Sequence, residues 1–215
     1  MAEHRNLTLH VYDQIKEMMF NYDIVPGQRL VFVDLAKALG VSRTPVNNAL
    51  SILAKEGYLD FVPNQGYSVH KLTHEEADAL YELKNILEVG TIRKAIENCN
   101  EEKIKALEIK KNAYSLSVKN RVSRSLFVLD MNFHATICEM AGNPYIVEKY
   151  KDIYQHIFLR FRIEYLQIDR IYDIIEEHEQ LFHAIRIMDV EWASDLIKQH
   201  NDASLKNLSK LIFNK

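Results

Sequence analysis

Four residues have the types that could hold a metal ion, although they stand far apart in the chain: Asp130, His134, His178 and His200. Imidazole nitrogen and carboxylate oxygen are the donors that a borderline divalent cation accepts. Asp130 and His134 are four apart in a helical stretch, so both project from one face. His178 and His200 each fall in a later segment of apolar periodicity. A lone histidine among apolar neighbours is more often a hydrogen-bonded core residue than a ligand, so none of the three decides the matter singly. Such a set could also activate water for hydrolysis. No general base or nucleophile accompanies it at a fixed spacing, so a metal-dependent hydrolase ranks last and the chain reads as a non-enzyme. The string from His178 to His183 looks like a zinc-protease HExxH but is one residue too long. Five residues turn about 140° from the starting face of a helix, which leaves His183 as a structural or pocket-lining residue.

The elements that must carry these residues differ between the two ends of the chain. Val11, Ile15, Met18 and Met19 repeat with helical spacing. Pro26-Gly27 marks a turn, and a short helix over 32–39 stops at Gly40, which accepts positive φ without steric cost. Ser42 is placed to cap a third helix whose inner stripe is Val46, Leu50 and Leu53. Two short strands, 58–62 and 67–70, flank a turn at 63–66. Three helices followed by a hairpin make a winged helix-turn-helix over residues 1–72. Beyond it, Thr73 with Glu76 forms a capping box, opening a helix to Cys99. Further helices are expected near 101–119, 122–141, 144–166, 168–188 and 190–213. Residues 73–215 thus read as an antiparallel all-α helical bundle, and the fold as mainly α. Tyr81, Tyr150, Tyr154 and Phe158 fall at helical spacing and read as core packing. Cys138, one turn after His134, reads as a small buried hydrophobe.

Composition narrows the class of protein. With 215 residues, 47% hydrophobic and 27% charged, the chain is an ordinary globular sequence. No apolar run approaches the roughly 20 residues of a membrane span, the first ten residues hold no signal-like apolar core, and two cysteines without CxxC spacing suit a reducing interior. A cytoplasmic protein with no membrane partner is expected. Residues 1–71 hold seven Lys or Arg and seven Asp or Glu. Any positive face for nucleic acid must therefore come from arrangement rather than surplus.

The stretch 39–69, LGVSRTPVNNALSILAKEGYLDFVPNQGYSV, resembles the GntR family of bacterial transcription regulators. Those proteins carry a Leu-Gly-Val-Ser-Arg-Thr-Pro-Val-Arg-Glu-Ala-Leu run and a glycine at the wing tip. The bundle behind it is similar to the ligand-binding domain of the FadR-type (FCD) subfamily. That subfamily has an Asp-x-x-x-His pattern before a Gly-Asn stop, matched by Asp130, His134 and Gly142-Asn143, and two later histidines, matched by His178 and His200. The resemblance implies that all four bind one divalent metal ion. Three imidazoles and one oxygen favour zinc or nickel, with manganese possible.

The same resemblance implies a homodimeric regulator, a repressor by expectation, gripping double-stranded operator DNA. Ser42, Arg43 and Thr44 would meet bases and phosphates at the start of the recognition helix, and Gly66 would let the wing approach the minor groove. Two positions depart from the pattern. Asn47 and Asn48 replace Arg-Glu, and Val33 stands where many members place another arginine. A lost bidentate guanine contact costs roughly 1–3 kcal/mol, while Asn47 can pair bidentately with adenine. A shifted, A·T-richer operator or weaker binding is expected. A small carboxylate effector at the metal would also need a cation, for which Lys84, Arg160 and Arg162 are candidates. The alternative is a sensor in which the ion itself is the signal.

Overall fold

The computed structural model describes residues 2–119, 125–161 and 168–213. They fall into two compact units. One contains the chain up to Thr73 together with the stretch from His156 to Phe161. The other runs from His74 to Gln155 and takes up the helices that follow residue 167.

The first unit is built from α1 (Ala2–Phe20), α2 (Phe32–Leu39), α3 (Arg43–Lys55) and a small sheet. α1 packs on α3, with Val11 and Ile15 meeting the fully buried stripe of Val46, Ala49, Leu50 and Leu53. α2 ends because Gly40 turns left-handed at φ 67°, letting its amide and the next reach back to Lys37 and Ala36. The sheet holds one strand more than the sequence predicts. β1 (Arg29–Leu30) pairs antiparallel with β3 (Gly66–Val69), which also pairs with β2 (Leu59–Val62). Two residues are too few to show alternation, which is why β1 escapes a periodicity search. At the wing tip Gly66 has φ +86°, a value that an L side chain rarely adopts, and it has open space around it.

The second unit comprises α4 (His74–Glu97), α5 (Glu101–Lys119), α6 (Ser125–Met140), α8 (Ile168–Arg186), α9 (Val190–Phe213) and most of α7 (Pro144–Phe158). α7 stops at Phe158, whereas the sequence predicts helix to 166. Its final residues, with Arg160 and Phe161, belong to the first unit, where Phe158 packs on Phe20 and His156 stacks flat on Tyr58 at 4.4 Å. The core of the bundle joins Ile92, Ile96, Phe133, Ile137, Leu181 and Ile185. α4 packs on α6 and α9, α5 on α6 and α8, and α8 on α9. Among the described residues, no helix is long and apolar enough to cross a membrane.

Candidate functional site

α6 carries Asp130 and His134 on adjacent turns, and α8 and α9 bring His178 and His200 against them. One ligand atom from each lies within 4.8 Å of the others. Oδ1 of Asp130 is the hub. It stands 3.1 Å from Nε2 of His178, 3.7 Å from Nε2 of His200 and 4.0 Å from Nε2 of His134. Donors around a tetrahedral zinc at 2.0–2.1 Å are about 3.3 Å apart. The four therefore need only small side-chain adjustments to share an ion. Nε2 of His134 is buried and has no hydrogen-bond partner among the described residues. A buried nitrogen left so is costly unless a ligand completes it.

The imidazoles are oriented from behind by residues that the sequence reading passed over. Nδ1 of His134 faces Oε1 of Glu88 at 2.6 Å, and Nδ1 of His200 donates to Oε2 of Glu177 at 2.6 Å. Each carboxylate fixes the tautomer that points an Nε2 lone pair inward. Each is held in turn by a cation. Lys84 donates to Glu88 at 3.0 Å and also to Asn201, while Arg170 grips Glu177 with both terminal nitrogens. Asn201 completes the first arm by donating at 2.9 Å to Oε2 of Glu88, the same oxygen that Lys84 holds. Oδ2 of Asp130 accepts from the Tyr154 hydroxyl at 2.8 Å.

Burial resists ionisation of Asp130, yet the hydrogen bond from His178 and the fields of His200 and His134 hold its carboxyl well below the usual range. Burial likewise resists charge on Glu88, but Lys84 and His134 bring it down. Desolvation works the other way on the histidines. It outweighs the pull of Asp130 and pushes His178 down to about 4, and His200 down as well. At neutral pH the centre thus holds one carboxylate with neutral imidazoles at His178 and His200, the protonation state a metal requires. A stability consequence follows. Below about pH 6.5 the unfolded chain protonates His178, while the folded chain refuses the proton until about pH 4. The unfolded state then holds more protons, so stability is lost as pH falls through that window. In chelator, the free energy of unfolding from urea titrations should be about 2 kcal/mol lower at pH 5 than at pH 7.5 from this group alone. A flat profile would contradict the buried, neutral imidazole.

Beside the centre lies a cavity of about 60 Å³ whose walls include Asp130, His200, Tyr81, Tyr154, Lys84 and Arg170, with Leu208, Leu211 and Phe127 among the apolar groups. Of the cations expected to serve an effector, Lys84 lines it. Arg160 lies in the first unit, where it donates to the carbonyls of His156 (2.8 Å) and Gly57 (3.5 Å). Arg162 lies outside the described residues. Arg170 also lines the cavity. Its signal in the sequence was its position seven residues before Glu177, two helical turns along one face of α8. Tyr81 and Tyr154, read from the sequence as core packing, prove to be cavity walls. Cys138 is buried as expected, and desolvation raises its thiol far out of reach of a thiolate role. His183 is exposed and stands edge-on to Trp192.

In the first unit, α3 turns Arg43, Thr44, Asn47 and Asn48 outward and Val46, Ala49 and Leu50 inward. Ser42 occupies the N-cap position with extended backbone but makes no capping hydrogen bond with its side chain. The first amides of α3 are therefore not satisfied by Ser42, an arrangement suited to a phosphate. Val33 is exposed on α2, and Phe61 packs on Tyr67 across the wing.

Residues 7–69 match the model of the bacterial regulatory proteins of the gntR family, and residues 79–203 match the FCD domain. The chain is 26% identical to the HTH-type transcriptional regulator YdhC of Bacillus subtilis, over 95% of this chain and 92% of that protein. It is 28% identical to the Nta operon transcriptional regulator of Aminobacter aminovorans, over 80% and 78%. The solved structure of Escherichia coli McbR/YncC superposes with a TM-score of 0.81 at 21% identity, covering 95% of this chain and 97% of that one, which supports the shared fold. These relatives are regulators, not enzymes. The chain belongs to the GntR family, is a DNA-binding transcription regulator, and carries an FCD domain behind its winged helix-turn-helix.

Proposed function

We propose that this regulator is a cytoplasmic homodimer, acting as a repressor, whose grip on operator DNA is set by a small carboxylate bound beside a divalent ion. Asp130, His134, His178 and His200 hold the ion, with zinc or nickel favoured over manganese. The observation that carries the reading is the convergence of these four donors, one of them an unpartnered buried nitrogen, at the wall of a cavity. Charge supports an anionic occupant. Asp130, Glu88 and Glu177 outnumber Lys84 and Arg170 by one, so a divalent ion turns the local sum from −1 to +1. The apolar walls suit a short hydrocarbon part. A homodimer is supported by the outer face of α4, where Leu83 and Ile86 are about half exposed beside Gly90, which has open space around it. Two copies would present two recognition helices to a palindromic site.

On this reading Ser42, Arg43, Thr44, Asn47 and Gly66 meet the DNA. Arg43→Ala should weaken specific binding by roughly 10- to 100-fold, the value of one bidentate base pair contact, and Asn47→Arg should shift preference from adenine toward guanine. Gel-shift titrations on operators carrying single base changes check both. Tight wild-type binding to a guanine-bearing half-site, unchanged by Asn47→Arg, would refute the assignment of Asn47. The direct test of control is the same titration with zinc, with chelator, and with zinc plus a panel of small carboxylates. Operator affinity that no carboxylate alters in the presence of metal would sink the effector reading. Four protein donors also suffice to fill a tetrahedral shell, which favours a second reading in which the ion is the signal. Chelation alone would then change operator affinity.

A further inference from the structure

Arg170 touches both halves of the site. Its side chain is 10% exposed, it lines the cavity, and its Nε is buried without a hydrogen-bond partner among the described residues. Its other nitrogens are engaged. They grip Glu177, and one also donates to the Ser204 hydroxyl at 3.0 Å and reaches the His200 carbonyl at 3.5 Å. The same Glu177 accepts from Nδ1 of His200, one of the four proposed ligands. In a residue that lines the cavity, a buried guanidinium Nε–H without a partner asks for an acceptor, and an anionic acceptor is the strong one.

We propose that Arg170 is the anion-receiving donor of the cavity and, through Glu177, the positioning residue for His200, so that cavity anion and metal tighten each other's binding. This rests on the metal reading above. An anion at Nε draws on the guanidinium charge and leaves Glu177 a stronger acceptor for the His200 Nδ1–H. A stronger acceptor behind an imidazole makes its Nε2 the better metal donor. By linkage, a bound metal raises anion affinity by the same factor.

The test is zinc titration of the full chain in competition with a fluorescent chelator, with and without acetate as the probe anion. Wild type should bind zinc about tenfold tighter in saturating acetate. Arg170→Lys keeps the charge but loses the fork and the Nε–H, and should abolish the acetate effect. Glu177→Gln should weaken zinc by 10- to 100-fold, and adding Arg170→Lys to it should cost little more, because both act along one path. An acetate effect of equal size in Arg170→Lys, or losses that simply add in the double variant, would overturn the relay. Circular dichroism in chelator confirms that each variant is folded. If wild type takes up no zinc, it is the metal reading that fails, whereas zinc uptake with indifferent variants condemns the relay alone.

Discussion

Zinc supplied at about a thousand times its dissociation constant is expected to stabilise the folded protein by about 4 kcal/mol, raising Tm by roughly 8–16 °C for a chain of this size. Chelator should reverse the shift. The reason is that the donors are gathered only in the native state. Asp130 and His134 share α6, but His178 and His200 reach them only when α8 and α9 are packed in place. The free energy of binding is therefore free energy of folding. His134→Ala should flatten the response, since it removes the nitrogen with no other partner. Scanning calorimetry of both proteins across a zinc series decides the matter, and a Tm indifferent to zinc and chelator in wild type would dispose of the site.

The second large effect is structural. Glu88 and Lys84 are each 2% exposed, and they neutralise one another one turn apart on α4. Breaking such a pair leaves an uncompensated buried charge, at a cost of about 3–5 kcal/mol, whereas replacing both partners by apolar residues is often neutral. Glu88→Leu in chelator should accordingly lower the unfolding free energy by that amount. The double variant with Lys84→Met should recover most of it. Urea titrations give both numbers. A Glu88→Leu cost below 1 kcal/mol would show that water reaches Lys84 in the folded state. The double variant should still lose zinc affinity, because His134 would have no carboxylate behind Nδ1.

Much of this protein is written locally and was legible without coordinates. The stop at Gly40, the outward Arg43 and Asn47 with inward Val46 and Leu50, and the Gly66 turn all depend on a few neighbours, so spacing and residue type reveal them. The four candidate ligands were also legible, because Asp130 and His134 sit at i and i+4 and the other two match a family pattern. The brief strand β1 was not, since its hydrogen bonds lie with β3, some 38 residues away.

What tertiary structure alone decided is which charges are buried together. In the sequence Lys84, Arg160 and Arg170 are equivalent long cations. Packing of α4 against α9 covers the Lys84–Glu88 pair and adds Asn201 to it, and packing of α8 on α9 adds Ser204 to the Arg170–Glu177 pair. Arg160 instead falls within the reading unit, bonded to Gly57. The physical reason is that a helix records in its sequence which face is apolar but not which partner will cover it. The counter-charges of Lys84 and Arg170 stand on their own helices, four and seven residues away, but the covering partner of Lys84, Asn201, is 117 residues off and is brought there only by packing.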